Sequence, residues 1–210
     1  MVFYFSGTGN SEYVAITIAN FLGLEKRFIP EINPKELIAC ESRIIFVFPV
    51  YAWGVPPLIK NFVDSISQEF WESVKEKNYL VDCVMVCGDE TGMAPEMMKK
   101  ILLKKDIIIN SVWSVIMPNN YVLLPGFDVD SKELETKKLE NCKSRILEIA
   151  ESLQRCNRRV DVIRGSIPRI KTGLVFPLFR RWGIFPKKWH SSISCIGCRK
   201  CAYDCSFKNI

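Results

Sequence analysis

Four cysteines crowd into eleven positions in the run Cys195-x-x-Cys198-x-x-Cys201-x-x-x-Cys205. Thiolates at such short steps can wrap one loop around a single metal centre, either an iron-sulfur cluster or zinc. Zinc sites usually pair two C-x-x-C knuckles about a dozen or more residues apart, so cysteines at successive steps of three favour iron and sulfide. A second run, Ser6-Gly7-Thr8-Gly9-Asn10-Ser11, sets hydroxyl and amide side chains around two glycines. Between a strand and a helix, such a loop offers free N–H groups, the positive end of the helix dipole and a backbone able to curl round an anion. That makes it a phosphate cradle. It lacks the lysine of a Walker loop and the third glycine of a dinucleotide fingerprint. The single histidine is His190 and no Gly-x-Ser-x-Gly elbow occurs, which argues against histidine-based acyl transfer and His-rich zinc chemistry. Chemistry must come from a bound cofactor or from the thiols.

Alternating strands and helices would position these residues. Val2 to Phe5 is an apolar run leading into the first loop, after which Val14, Ile18, Phe21 and Leu22 recur at helical spacing. A weaker strand is expected near Arg27 to Ile32. Arg43 to Phe48 is continuously β-branched and aromatic, as a strand covered on both faces should be. Pro56 and Pro57 suit the first turn of a helix whose buried side is Leu58, Ile59, Phe62, Val63 and Ile66. Tyr79 to Cys87 reads as a further strand, followed by the turn Gly88-Asp89-Glu90-Thr91-Gly92 and a helix from about Pro95 to Lys104. Ile107 to Met117 continues the rhythm, and Trp113 is expected on this last strand. Leu139, Cys142, Ile146, Ile149, Leu153 and Cys156 form one stripe of a long helix. The pattern implies an α/β fold with a five-stranded parallel sheet covered by helices on both faces. Ligands in such sheets bind at the carboxyl ends of the strands, here Ser6 to Ser11, Pro49 to Gly54, Gly88 to Gly92 and Pro118 to Tyr121.

The chain has 210 residues, which at about 150 residues per domain suits one full domain and an appendage. With 48% hydrophobic and 25% charged residues it has a globular composition rather than that of a disordered or repeat protein. No apolar run is long enough for a membrane span; Gly173 to Phe179 is broken by Pro177 and followed by Arg180 and Arg181. The start, MVFYFSGTGNS, has no basic n-region or cleavage site, so a cytoplasmic protein with reduced thiols is expected. Cys40, Cys83, Cys87, Cys142 and Cys156 lie among apolar residues and are expected to be small core side chains. Net charge is +6, but residues 158 to 200 hold eleven Lys or Arg against Asp161 alone, which is +10. Residues 201 to 210 balance, leaving 6 − 10 = −4 for residues 1 to 157. A basic neck with interleaved Phe and Trp suits nucleic acid, an anionic membrane surface or an acidic protein partner. Beyond Arg158 the helical period is lost and Gly165, Pro168, Gly173, Pro177, Gly183 and Pro186 punctuate the chain, as in a linker with at most short helices.

At the first loop the sequence resembles the flavodoxin family, whose phosphate loop reads Ser/Thr-x-Thr-Gly-Asn-Ser/Thr after the first strand; Ser6, Thr8, Gly9, Asn10 and Ser11 match it. The resemblance covers residues 1–157 and implies strand order 2-1-3-4-5 with bound FMN, its phosphate held by Ser6, Gly7, Thr8, Gly9, Asn10 and Ser11. It further implies that the loops Tyr51-Ala52-Trp53-Gly54 and Gly88-Asp89 flank the isoalloxazine. Two aromatic rings between Pro49 and Gly54 suit a ligand better than a core, and carboxylates at Asp89 and Glu90 near a flavin would lower its potential. The cysteine run resembles bacterial-type ferredoxins, which implies a 4Fe-4S cluster on Cys195, Cys198, Cys201 and Cys205. Ser206 stands where that motif usually has proline, and the fourth cysteine of such a run serves a neighbouring cluster in two-cluster ferredoxins. The layout is similar to flavodoxin-ferredoxin fusion proteins, with residues 158–190 as a basic linker and 191–210 as the start of a ferredoxin-type domain cut short.

The expected function is electron transfer between a 4Fe-4S cluster and FMN and on to another redox protein, for instance an acidic ferredoxin docked on the basic neck. A flavin-dependent NAD(P)H or quinone oxidoreductase with the cluster as electron inlet is the alternative. No helix-turn-helix or other nucleic-acid module is recognisable, which weighs against a redox-sensing regulator on nucleic acid.

Overall fold

The computed structural model describes residues 1–39, 42–122, 127–183 and 191–205, with backbone only at 182 and 183. Cys40, His190, Lys187, Lys188 and Ser206 lie outside the described residues or side chains. Six strands, β1 (Val2–Tyr4), β2 (Lys26–Phe28), β3 (Arg43–Pro49), β4 (Leu80–Cys87), β5 (Ser111–Ile116) and β6 (Val160–Asp161), form one sheet in the order β2-β1-β3-β4-β5-β6. Every pairing is parallel. The first five positions follow the 2-1-3-4-5 order of flavodoxin-like doubly wound sheets.

Strand alternation feeds two cores. Along β3, Ile44, Phe46 and Phe48 join the layer that includes Ile59 and Phe62 of α2 (Pro57–Ser65), Trp71 of α3 (Gln68–Glu76) and Met98 of α4 (Ala94–Leu103). Ile45 and Val47 point the other way, towards Ile18 of α1 (Asn10–Leu22) and Ile146 and Ile149 of α5 (Lys132–Gln154). Both faces being covered explains why the strands are continuously apolar rather than alternating. Ile146 and Ile149 are fully buried, each worth about 1.5–3 kcal/mol relative to exposure. Truncating Ile146 to alanine would leave a cavity costing about 2–5 kcal/mol.

The sheet has six strands rather than the five expected. The extra one, β6, falls inside the stretch 158–190 read as linker, and two residues pairing with Val112 and Trp113 are too short to leave a period. Trp113 is therefore on the fifth strand, not the last. Near Arg27 to Ile32 the strand is confined to Lys26–Phe28, because Pro30 turns Ile29–Glu31 into a 3₁₀ helix. α3 was not foreseen; its signal is Ser67, whose hydroxyl accepts from the Phe70 N–H at 3.2 Å and caps the helix. Cys83, Cys87 and Cys142 are buried as expected, whereas Cys156 is exposed. It sits just past α5 with φ 56°, where the left-handed turn swings it off the stripe.

Residues 168–183 are helical rather than irregular. Pro168–Ile170 and Phe176–Leu178 are α turns, while Lys171–Val175 and Phe179–Gly183 are π turns. Pro177 has no N–H to give to a helical ladder. Gly173 and Pro177 hide this neck helix from a pattern search tuned to one period.

Candidate functional site

The loops after β1, β3, β4 and β5 meet at the carboxyl edge of the sheet, and the first two flank the point where strand order reverses between β1 and β3. Gly9 (φ 95°) is the N-cap of α1 and makes no side-chain cap, so the helix opens on main-chain N–H groups. Ser6 and Ser11 are buried at the base of this turn, and the Ser6 hydroxyl accepts from the Gly9 N–H at 3.0 Å. Gly7 and Thr8 are exposed at its tip. A Cβ on Gly7 would stand 3.2 Å from the Tyr51 hydroxyl, so glycine lets that ring approach the loop. Two polar side chains tie the loop to the rim: Asn10 donates to the Pro118 carbonyl at 3.0 Å, and Asn120 donates to the Thr8 hydroxyl.

Tyr51 to Gly54 is a tight two-residue hairpin in which Tyr51 and Gly54 exchange backbone hydrogen bonds. Ala52 (φ 45°) and Trp53 (φ 64°) both take left-handed conformations, the geometry of a type I′ turn built without glycine. Burial pushes the Tyr51 phenol above its ordinary pKa. Trp53 donates from Nε1 to Glu90 at 2.7 Å, and the Lys171 ammonium lies 5.3 Å from its ring centroid while bonding the same carboxylate. Thr172 donates to the Trp53 carbonyl at 2.6 Å and accepts from the Met93 N–H at 2.8 Å. Phe176, 4% exposed, packs on Gly54, where a Cβ would come within 2.5 Å of the ring. The neck helix is thus seated on the second and third loops.

On the opposite side, Lys138 of α5 bonds Asp130 at 2.7 Å and Asp89 at 3.1 Å. Asn119 donates its backbone N–H and its side chain to Asp130, and its side chain to Asp89. The Asn119 amide fills the space a Cβ on Gly88 would need. Burial opposes charge on Asp130, yet the hydrogen bonds from Lys138 and Asn119 hold its carboxyl below the ordinary range. Burial likewise works against the Lys138 ammonium, and its two carboxylate bonds outweigh it and raise its pKa. The acidic turn is therefore not bare: Asp89 carries Lys138, and Glu90 carries Lys171.

The expected phosphate-loop residues and the flanking residues Tyr51, Ala52, Trp53, Gly54, Gly88 and Asp89 come together along one edge. At the Ser6 to Ser11 end the chain fits an anion, with an uncapped helix start over a glycine-bearing turn. At the Tyr51 to Gly54 end Trp53, Glu90 and the neck helix close on one another, while Asn119 closes on Asp89 and Asp130. Lys138 and Lys171 were not foreseen, and Asn119 was expected on the rim between Pro118 and Tyr121 but without a role. Lys138 had a signal, since it falls four residues before Cys142 in phase with the buried stripe of α5. Lys171 acts through tertiary contacts that leave no local pattern.

The cysteines behave differently. Cys195, Cys198 and Cys201 are exposed and Cys205 is intermediate, on a turn followed by the short helix Lys200–Asp204. Among the described residues, no three His, Cys, Asp or Glu side chains lie together as a metal-binding group. The donor set suits an iron-sulfur cluster in chemistry and spacing, while the described conformation does not gather it.

No protein-family model and no curated protein matches the chain. Among solved structures, it is similar to the Trp repressor binding protein from Bacillus subtilis, with 16% identity over 70% of this chain and 97% of that one and a TM-score of 0.46. The strand order, rather than this likeness, defines the fold.

Proposed function

We propose that the chain is an electron-transfer protein that takes FMN at the carboxyl edge of its sheet and a 4Fe-4S cluster on Cys195, Cys198, Cys201 and Cys205, and exchanges electrons with another redox protein. The observation that carries this reading is the uncapped start of α1 at Gly9, beside the reversal point of a 2-1-3-4-5 sheet. The α1 amides and the hydroxyls of Thr8 and Ser11 would hold the phosphate, and Asn10 and Asn120 would keep the loop in register. Tyr51 and Trp53 would line the ring, which requires the Trp53–Glu90–Lys171 contact to give way or to form one wall. Bound FMN supplies one- and two-electron chemistry, and the cluster one-electron chemistry. Lys138 and Lys171 would moderate the negative potential of Asp89 and Glu90 beside the ring. The four thiols would be gathered by metal, because such sites commonly form only as the ligand binds.

Titration with FMN and with riboflavin tests the phosphate assignment. Thr8→Ala combined with Asn10→Ala should weaken FMN about 30-fold, the scale of one or two hydrogen bonds to a charged group, and riboflavin by less than about threefold. Equal loss of both ligands, or no FMN binding by the parent chain, would overturn it.

A further inference from the structure

Ile163 and Thr172 grip the same rim loop from opposite sides of a strained turn. The Ile163 carbonyl accepts from the Thr91 N–H at 2.7 Å and the Thr91 hydroxyl at 3.0 Å, and the Ile163 N–H donates to the Ser114 hydroxyl at 3.0 Å. Arg164 adds an ion pair with Glu96 at 2.6 Å. The chain then turns through Gly165 (φ 73°) and Ile167 (φ 44°), both left-handed. A β-branched residue rarely takes that conformation, and Pro168 after it pushes it towards extended backbone. Such strain persists only where surrounding contacts hold it.

Beyond the turn, the neck helix crosses the loops after β3, β4 and β5. Lys171 bonds Glu90, whose carboxylate fills the space a Cβ on Gly165 would need. Thr172 joins the Trp53 carbonyl to the Met93 N–H, Phe176 covers Gly54, and Phe179 meets Tyr121 edge-on with ring centres 5.9 Å apart. Across residues 168–181 only Phe176 is buried. Polar bonds and one ring therefore keep this helix down, rather than a continuous apolar seam, which is the make-up of a segment that opens locally.

We infer that residues 168–181 form a lid, hinged at Gly165 to Ile167, which shuts the Tyr51 to Gly54 end of the rim and swings away to admit a planar ligand to Tyr51 and Trp53. The strain at Ile167 favours opening, and the contacts to Glu90, Trp53 and Met93 oppose it. The inference rests on the proposed reading of the rim as a flavin site for its ligand, and FMN is the probe. The hinge itself is read without a ligand: opening breaks the Met93 N–H bond to Thr172, whereas the Thr91 N–H is bound to Ile163, ahead of the hinge, and keeps its partner.

Hydrogen exchange of the full chain, followed at these two amides, tests the hinge. The Met93 N–H should exchange at least about tenfold faster than the Thr91 N–H, each corrected for its intrinsic rate. Ile167→Pro holds φ at about −65° and cannot keep the turn, so it should speed Met93 exchange about tenfold and leave Thr91 unchanged. Ile167→Gly tolerates the left-handed turn and should not speed it. Ile167 is 59% exposed, so neither substitution disturbs a core. With FMN, the rate of uptake should level off as concentration rises in the parent chain, because opening limits it, and should stay linear in Ile167→Pro. Met93 and Thr91 exchanging together in both the parent chain and Ile167→Pro overturns the lid. So does FMN uptake that is linear and equally fast in the two chains. No FMN uptake by either chain overturns the flavin reading alone, and the Met93 response then decides the lid.

Discussion

The carboxyl rim of the sheet and the cysteine segment are both rich in chemistry-bearing side chains, but the fold treats them in opposite ways. At the rim, Lys138, Asp130, Asp89 and Asn119 bind one another across α5 and two loops, and Trp53, Glu90, Lys171 and Thr172 do so across the hairpin and the neck. In residues 191–205 three of the four thiols are exposed, on backbone held by short-range turns. The rim is positioned by tertiary hydrogen bonds among its own side chains and backbone. The cysteine segment has ligand-like spacing but no such network among the described residues.

The contrast would break first at Lys138. Its side chain and that of Asp130 are 8% and 7% exposed, so Lys138→Met leaves a carboxylate in a poorly solvated place. A fully buried orphan charge costs about 3–5 kcal/mol and a surface pair about 0–1, and this partly shielded site should cost about 2. The thermal midpoint should fall by about 4–8 °C. Because the Asp130 pKa is depressed in the folded state, its stabilisation is present above the unfolded value near about 3.9 and is lost as pH falls through the lower folded value. The deficit of Lys138→Met should therefore shrink between neutral pH and pH 3, read by urea unfolding. A deficit unchanged with pH would show that the pair does not anchor the rim.

A smaller effect is expected where the neck meets the rim. Thr172→Val deprives the Trp53 carbonyl and the Met93 N–H of their shared partner, at about 1–2 kcal/mol. The loss should appear as faster limited proteolysis between residues 162 and 183, with the sheet still folded. Uniform destabilisation without local cleavage would mean that the neck is not a separable element. The smallest effect belongs to the cysteines: replacing Cys195, Cys198, Cys201 and Cys205 together by serine should alter metal-free stability by less than about 0.5 kcal/mol. The same variant should retain no iron or sulfide after anaerobic reconstitution. A large loss of metal-free stability would show the segment to be structural.

Much of the sheet was legible because β3 and β4 are buried on both faces and read as unbroken apolar runs. The glycine turn leading into α1 was legible because its pattern is local: glycines, hydroxyls and a helix start within six positions. β6 and the neck helix were not. Val160–Asp161 is held by pairing with a strand far earlier in sequence, and residues 168–183 change helical period around Pro177. Trp53 and Asp89 lie on the rim where they were expected, but their partners were not foreseen, because Lys171 and Lys138 reach them across 118 and 49 positions, 171 − 53 and 138 − 89. The basic neck read as a free linker turned out to use Arg164 and Lys171 internally.

The central claim is that one chain carries a flavin site and an iron-sulfur site. The absorption spectrum of the full chain, purified without oxygen and reconstituted with FMN, iron and sulfide, tests it most directly. The account predicts flavin bands at one FMN per chain together with a broad iron-sulfur shoulder, the shoulder alone disappearing on Cys201→Ser. A spectrum with neither feature after reconstitution, or a shoulder that survives that substitution, would contradict it.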